Sequence, residues 1–157
     1  YIADSLITTK KCKTRQEGYK KIDEVLKNGK AYKCFHDWAI AQGSTEKILK
    51  SKIFDPKHKY EVKATKSGYV AYISTKEVGL ISTYLGAGRI KTTDVPDPQA
   101  GIYLNKTYNE YVKKGETLAT LYSSKPIPKD LVKRFQDNTK YSNKKYPNIK
   151  PILEVVK

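Results

Sequence analysis

A nucleophilic triad needs a base held beside a Ser or Cys, and a metal site needs three or four converging ligands. This sequence offers His36 and His58 as its histidines and Cys12 and Cys34 as its thiols, and none of them falls in a ligand-spaced cluster. His36 lies on the polar side of a helical pattern that carries Trp38, so it reads as solvated surface. Cys12 and Cys34 form no CxxC pair and read as reduced, packed thiols of a cytosolic chain. Asp94 and Asp97 flank Pro96 and read as turn formers, not as an acid/base pair. The sequence assigns no catalytic, cofactor-binding or metal-binding residue.

The strongest binding candidate is the run Gly86, Ala87, Gly88, Arg89. Small residues let a backbone approach a neighbour or an anion closely, and Arg supplies a rigid fork of donors. The run follows a helical pattern, whereas a phosphate loop follows a strand and opens a helix, so a helix C-cap explains it as well as a binding loop does. A second feature is a pair of half-motifs, Ser67-Gly68-Tyr69-Val70 and Val112-Lys113-Lys114-Gly115-Glu116-Thr117-Leu118, which resemble those of biotinyl and lipoyl carrier domains. Lys125 falls near the place of the modified lysine, but acidic flanks and a Met-Lys-Met site are both missing. The half-motifs therefore speak for a barrel-sandwich shape, not for attachment chemistry.

The elements that must position these residues divide near Asp55-Pro56. Residues 1–50 read as three short helices. Thr14 followed by Glu17 matches a capping box, Tyr19, Ile22, Val25 and Leu26 make an apolar face, and Gly29 follows as a stop. Ala31, Cys34, Phe35, Trp38 and Ala39 recur at helical spacing ahead of Gly43 and predict a buried stripe. Residues 60–64 and 68–73 read as strands, with Lys66-Ser67-Gly68 as the turn between them. Thr75 is the expected cap of a helix carrying Val78, Ile81 and Leu85. Asp94, Pro96, Asp97 and Pro98 mark a loop, and residues 101–104 and 117–122 read as further strands. Leu131, Val132 and Phe135 predict a last helix, residues 140–151 a polar loop, and residues 152–156 an edge strand. The fold class is α+β.

The 157 residues carry a formal charge of +15, with 38% hydrophobic residues. That hydrophobic content, at helical and strand spacings, predicts a folded chain. Of the 31 basic residues only Arg15, Arg89 and Arg134 are Arg, and the lysines are spread along the chain. Base-specific recognition relies on planar guanidinium forks, so nucleic acid is not the expected partner. No apolar run approaches the roughly 20 residues that span a bilayer, so no membrane partner is expected either. The opening Tyr1-Ile2-Ala3-Asp4 reads as the middle of an amphipathic helix, as if cut from a longer chain.

In order along the chain, Gly29-Lys30-Ala31 with Phe35, Ala41-Gln42-Gly43, Ala64, Ser67-Gly68-Tyr69-Val70, Val78-Gly79, Leu85-Gly86-Ala87-Gly88-Arg89, Asp94, Gly101-Ile102 and Val112 to Ala119 resemble thymidine and pyrimidine-nucleoside phosphorylases. The resemblance thins after about residue 125. Two departures bear on turn geometry: Ser44-Thr45 stands where that family has Gly-Asp, and Tyr108-Asn109 stands where it has another Gly-Asp.

The resemblance implies that residues 1–54 are the helical tail of a truncated central α/β domain and 55–157 a C-terminal domain with a hammerhead-like barrel sandwich. It implies a cytoplasmic, homodimeric parent that cleaves pyrimidine nucleosides with inorganic phosphate as co-substrate and no cofactor. The remainder of the parent polypeptide, which would bind nucleoside and phosphate, is then this chain's partner and holds the catalytic centre. Gly86, Ala87, Gly88 and Arg89 would border the interdomain cleft. The competing expectations are a free-standing biotinyl or lipoyl-like carrier, which an adduct mass on Lys125 would reveal, and a basic nucleic-acid binder, which steep salt dependence would reveal.

Overall fold

The computed structural model describes residues 1–147, which form two compact units divided between Ile53 and Phe54. The first unit holds four helices: α1 (Ile2–Thr8), α2 (Arg15–Lys27), α3 (Lys30–Ala41) and α4 (Glu46–Lys50). α1 and α2 meet through small residues. A Cβ on Gly18 would stand 3.0 Å from the Cβ of Ala3 and 3.4 Å from the Cys12 sulfur, so the glycine sets how closely the helices approach. Arg15 Nε meets Asp4 Oδ1 at 2.7 Å across the same contact.

The helix starts follow local chemistry. The Thr14 hydroxyl accepts the Glu17 N–H at 3.2 Å. The Glu17 carboxylate accepts the N–H of Lys13 at 2.9 Å, one residue ahead of the reciprocal bond that a capping box requires. Gly29, with φ 77°, takes the left-handed turn that separates α2 from α3. α4 is the helix that hydrophobic periodicity missed, and its start is fixed by Thr45, whose hydroxyl accepts the Ile48 N–H at 3.2 Å.

The predicted buried stripe of α3 is corrected. Ala39 is buried, but Phe35 and Trp38 are 52% and 60% exposed. Cys12 is packed as expected, while Cys34 is exposed. Helical spacing reports that a face is apolar, not that anything covers it. Tyr19, Val25 and Leu26 on α2 are exposed for the same reason.

The second unit is a mixed α+β structure with two antiparallel three-stranded sheets. One sheet has the order β1-β5-β3, with β1 His58–Lys63, β3 Gly101–Leu104 and β5 Thr117–Ser123. The other has the order β4-β2-β6, with β2 Gly68–Ile73, β4 Tyr111–Val112 and β6 Thr139–Ser142. The chain therefore changes sheets at residues 64–67 and does not pair β1 with β2. Central β5 pairs Val62 with Ala119 on one side and Ile102 with Leu121 on the other, which buries Leu118, Ala119, Thr120 and Leu121 in a continuous run.

One hydrophobic cluster joins both sheets and the helices α5 (Thr75–Ser82) and α6 (Lys129–Asp137). Val62, Val70, Val112, Leu118 and Leu121 come from strands, Ile81 from α5, and Leu131, Val132 and Phe135 from α6. Ser74, not Thr75, caps α5, because its hydroxyl accepts the Glu77 N–H at 3.3 Å. The predicted loop from residue 140 begins as a strand: β6 pairs Tyr141 with Val70 and Ser142 with Tyr69. The edge strand expected at 152–156 lies outside the described residues.

Candidate functional site

After α5 the chain continues as a π-type turn, Thr83–Ala87, that breaks at Gly86, where φ is 114°. A left-handed glycine at this place ends the helix as a C-cap glycine does. Gly86 is needed twice over, since that φ disfavours any side chain and a Cβ would face the Asp97 Cβ at 3.2 Å. Gly88 is extended, with φ −125°, so its constraint is spatial: an added Cβ would stand 2.7 Å from the Thr83 hydroxyl oxygen.

The run Gly86, Ala87, Gly88, Arg89 is fastened to the end of β5. The Ser123 hydroxyl donates to the Leu85 carbonyl at 2.9 Å and accepts the Lys125 N–H at 3.1 Å. The Asp97 N–H donates to the Gly86 carbonyl at 2.8 Å. Asp97 then accepts the Ser124 N–H at 2.9 Å, the Ser124 hydroxyl at 3.0 Å and the Gln99 N–H at 2.9 Å. Those donors, first the Ser124 and Gln99 N–H groups, hold the Asp97 carboxyl below the usual carboxylate range. Asp94 Oδ2 accepts the Ile90 and Lys91 N–H groups at 2.9 and 2.8 Å and closes the segment that follows Arg89.

The two aspartates are turn formers as expected, and Asp97 is also a tie between distant segments. A cleft of about 280 Å³ opens here, lined by Thr83, Tyr84, Gly86, Gly88, Asp94 and Lys125 among others. Arg89 is exposed, and no described residue pairs with its guanidinium. Lys125 is exposed beside the cleft. Of these two cations only Lys125 lines the cleft, together with Gly86, Gly88 and Asp94, and that mixed lining suits a hydrogen-bonding ligand group. Thr83, Tyr84, Ser123 and Ser124 were not singled out by sequence, because nothing local marks a Ser pair that closes a strand as a partner of a loop so far upstream.

On the opposite flank Arg134 joins Glu77 through its Nε and lies over the Tyr84 ring at 5.5 Å, tying α6 to α5. The two half-motifs also come together. Gly68 pairs with Val112, the Lys114 N–H donates to the Ser67 hydroxyl at 2.8 Å, the Gly115 N–H donates to the Ala64 carbonyl at 2.9 Å, and the Ala64 N–H donates to the Glu116 carbonyl at 2.8 Å.

His36 corrects its expected role. It is half-buried between α3 and α4, with Nε2 on Glu46 and Nδ1 3.4 Å from Asp37. Hydrogen bonding to Glu46, and secondarily to Asp37, raises its pKa above the ordinary imidazole value. His58 opens β1. Among the described residues no three His, Cys, Asp or Glu side chains gather as a metal site, and no helix is long and apolar enough to cross a membrane.

Both departures from the expected turns have a local account. Thr45 stands where Asp was expected and still caps a helix, since either side chain accepts a first-turn N–H. Asn109 has φ 70° and is 8% exposed. Its amide donates to the Tyr146 carbonyl at 2.7 Å and accepts the Tyr146 N–H at 2.8 Å. Asn tolerates the left-handed region better than most residues do.

The profile of the family described as "Pyrimidine nucleoside phosphorylase C-terminal domain" matches residues 69–142. The chain is 45% identical over 143 residues to a thymidine phosphorylase of Metamycoplasma hominis, a match covering 90% of this chain and 53% of that protein. It is 43% identical over 138 residues to a thymidine phosphorylase of Mycoplasmoides pirum, covering 87% of this chain and 33% of the relative. It is also 35% identical over 135 residues to a pyrimidine-nucleoside phosphorylase of Bacillus subtilis (strain 168), covering 85% and 31%. The chain thus spans between about a third and a half of the curated relatives it matches.

Proposed function

Because this chain belongs to the pyrimidine-nucleoside phosphorylase family and carries its C-terminal domain, we propose that it is the C-terminal portion of an enzyme that splits pyrimidine nucleosides with inorganic phosphate. The products are the free base and a pentose 1-phosphate. A phosphate oxygen bonds to the anomeric carbon as the carbon–nitrogen bond breaks, and the base leaves with the electron pair and takes up a proton. That chemistry needs an anion site and cationic donors facing the departing base. In this reading both lie in the rest of the polypeptide, and the chain itself is inactive.

The observation that carries the reading is the 45% identity to a thymidine phosphorylase over nine-tenths of this chain. The uncovered apolar face of α3 supports it, since Phe35 and Trp38 suit a helix that packs into a larger α/β domain. Residues 1–54 are accordingly the helical tail of that domain, and 55–157 the C-terminal domain with its hammerhead-like barrel sandwich. The parent works as a cytoplasmic homodimer, without a cofactor, as the family resemblance implies. Residues 86–89 border its substrate cleft, with Arg89 as the exposed donor.

The test is phosphate-dependent release of thymine or uracil from thymidine and uridine, by the full-length protein and by this chain alone. An active parent with an inactive chain is the expected result. An inactive parent overturns the phosphorolysis reading, and activity in the chain overturns the division of the site. Replacing Arg89 with Ala in the parent is expected to weaken substrate affinity or turnover, and unchanged kinetics would remove the loop from the cleft.

A further inference from the structure

The run at residues 86–89 cannot hold its own shape. Two of its members are glycines, Gly86 sits at a φ of 114°, and Arg89 has no partner among the described residues. What fixes it lies elsewhere in the chain. The Gly86 carbonyl is bound by the Asp97 N–H, and the carbonyl just before it, of Leu85, is bound by the Ser123 hydroxyl. Asp97 is locked in turn, because both of its carboxylate oxygens are engaged by Ser124 and one of them also by Gln99. Ser123 ends β5, the most buried strand of the unit, and Ser124 follows it directly. A chain of hydrogen bonds therefore runs from the rigid core strand through Asp97 to the backbone of the glycine loop.

We infer that Asp97 is a positioning residue: clamped by Ser124, it sets the conformation of residues 86–89 and, through that loop, the affinity of the full-length enzyme for its substrate. The consequence for affinity rests on the phosphorolysis reading above, while the consequence for the loop stands on geometry alone. Asp97 itself touches no substrate in this scheme. Both oxygens of its carboxylate are held by N–H and hydroxyl donors of this chain, so its work is to present Arg89 and the Gly86–Gly88 backbone at a fixed place. A loop prepared in its bound shape loses less conformational freedom when ligand arrives, which lowers KM more than it alters turnover.

The experiment uses the full-length protein with Asp97→Asn, Ser124→Ala and Ser124→Thr. Asp97→Asn turns one acceptor into a donor facing donors. Ser124→Ala removes only the hydroxyl bond and keeps the backbone one, so it tests the same clamp if Asp97→Asn fails to fold. Hydrogen exchange of the peptide covering 84–91 is measured beside steady-state kinetics for thymidine, uridine and phosphate.

The expected result is faster exchange in that peptide for Asp97→Asn and Ser124→Ala. KM should rise about tenfold for Asp97→Asn and less for Ser124→Ala, as loss of hydrogen bonds to a charged group implies, with kcat within about twofold. Ser124→Thr, which keeps the hydroxyl, should restore both. Unchanged exchange in 84–91 overturns the inference, and so does faster exchange with unchanged KM in an active protein. A merely structural role would show as a lower melting temperature with kinetics intact. A wild-type protein that releases no base would overturn the phosphorolysis reading instead, and the exchange arm would still decide whether Asp97 sets the loop.

Discussion

The carbonyl oxygen of Ser142 lies 2.9 Å from the position a Cβ on Gly68 would occupy, so the backbones of β2 and β6 meet at a point where no side chain fits. Gly68 also has φ 152°, a region that L side chains rarely adopt. Ser67 on one side of it binds the Lys114 N–H, and Tyr69 on the other pairs with Ser142. This glycine opens β2, where the chain enters the second sheet after leaving the first across residues 64–67. Gly68→Ala is expected to cost at least about 2 kcal/mol, because strain and overpacking add. Urea unfolding measures it, and a midpoint unchanged from wild type would show that β6 can move away freely.

Phe135 is 1% exposed and stands in the one cluster that joins both sheets. Phe135→Ala is expected to lose about 3–5 kcal/mol, the usual cost of emptying a buried aromatic site. A chain ended after Lys125 would lose Leu131, Val132 and Phe135 together with β6, and it is expected to show no cooperative thermal transition by circular dichroism.

Much of this organisation was legible in the sequence where the signal was local. Thr14, Gly29 and Gly43 bracket helices because caps and left-handed turns are chosen by neighbouring residues. The strands expected at 68–73 and 117–122 were legible from their β-formers, the second running one residue further to Ser123. Their pairing was not, since β1 finds β5 and β2 finds β6 across long stretches of chain, which periodicity does not encode. Residues 140–142 of β6 read as loop in the sequence because Lys140, Tyr141 and Ser142 alternate too weakly to mark an edge strand. At the candidate site, Gly86, Gly88 and Arg89 announced themselves by type. The partner that holds them did not: Ser124 is 27 positions beyond Asp97, and only the folded chain brings the two together.

Gly88→Ala tests the tightest side-chain contact in the loop. The Gly88 backbone is extended, so Ala brings no conformational strain, and the cost arises from an added Cβ 2.7 Å from the Thr83 oxygen. Thr83 does not turn aside easily, because a β-branched side chain is stiff at χ1 and its hydroxyl donates to the Gly79 carbonyl at 3.0 Å. The expected destabilisation is about 1–3 kcal/mol. Adding Thr83→Ala removes the nearest two clashing atoms and should recover part of it, so the double-mutant cycle should show coupling. Strict additivity would mean that the loop shifts as a whole and that the contact is not limiting.

His36 gives the helical unit a pH dependence whose sign follows from its partners. Glu46 on α4 and Asp37 on α3 face the ring, and Lys50 and Lys33 share those carboxylates without facing the imidazole. Tyr32 stands beside it at 6.2 Å between ring centroids. The folded-state pKa is raised, first by the hydrogen bond to Glu46 and then by that to Asp37. A group whose folded pKa exceeds its unfolded value stabilises fully below the unfolded value, about 6.5 for imidazole, and that contribution is lost as pH rises through the raised folded value. The α3–α4 contact should therefore loosen on moving from mildly acidic to mildly alkaline solution. Nuclear magnetic resonance of the His36 ring protons should show a midpoint above that of a free imidazole, and amides of α4 should exchange faster on the alkaline side. His36→Gln should remove the pH dependence while leaving α3 intact. A midpoint at or below the ordinary value would mean that the Glu46 bond does not persist in solution.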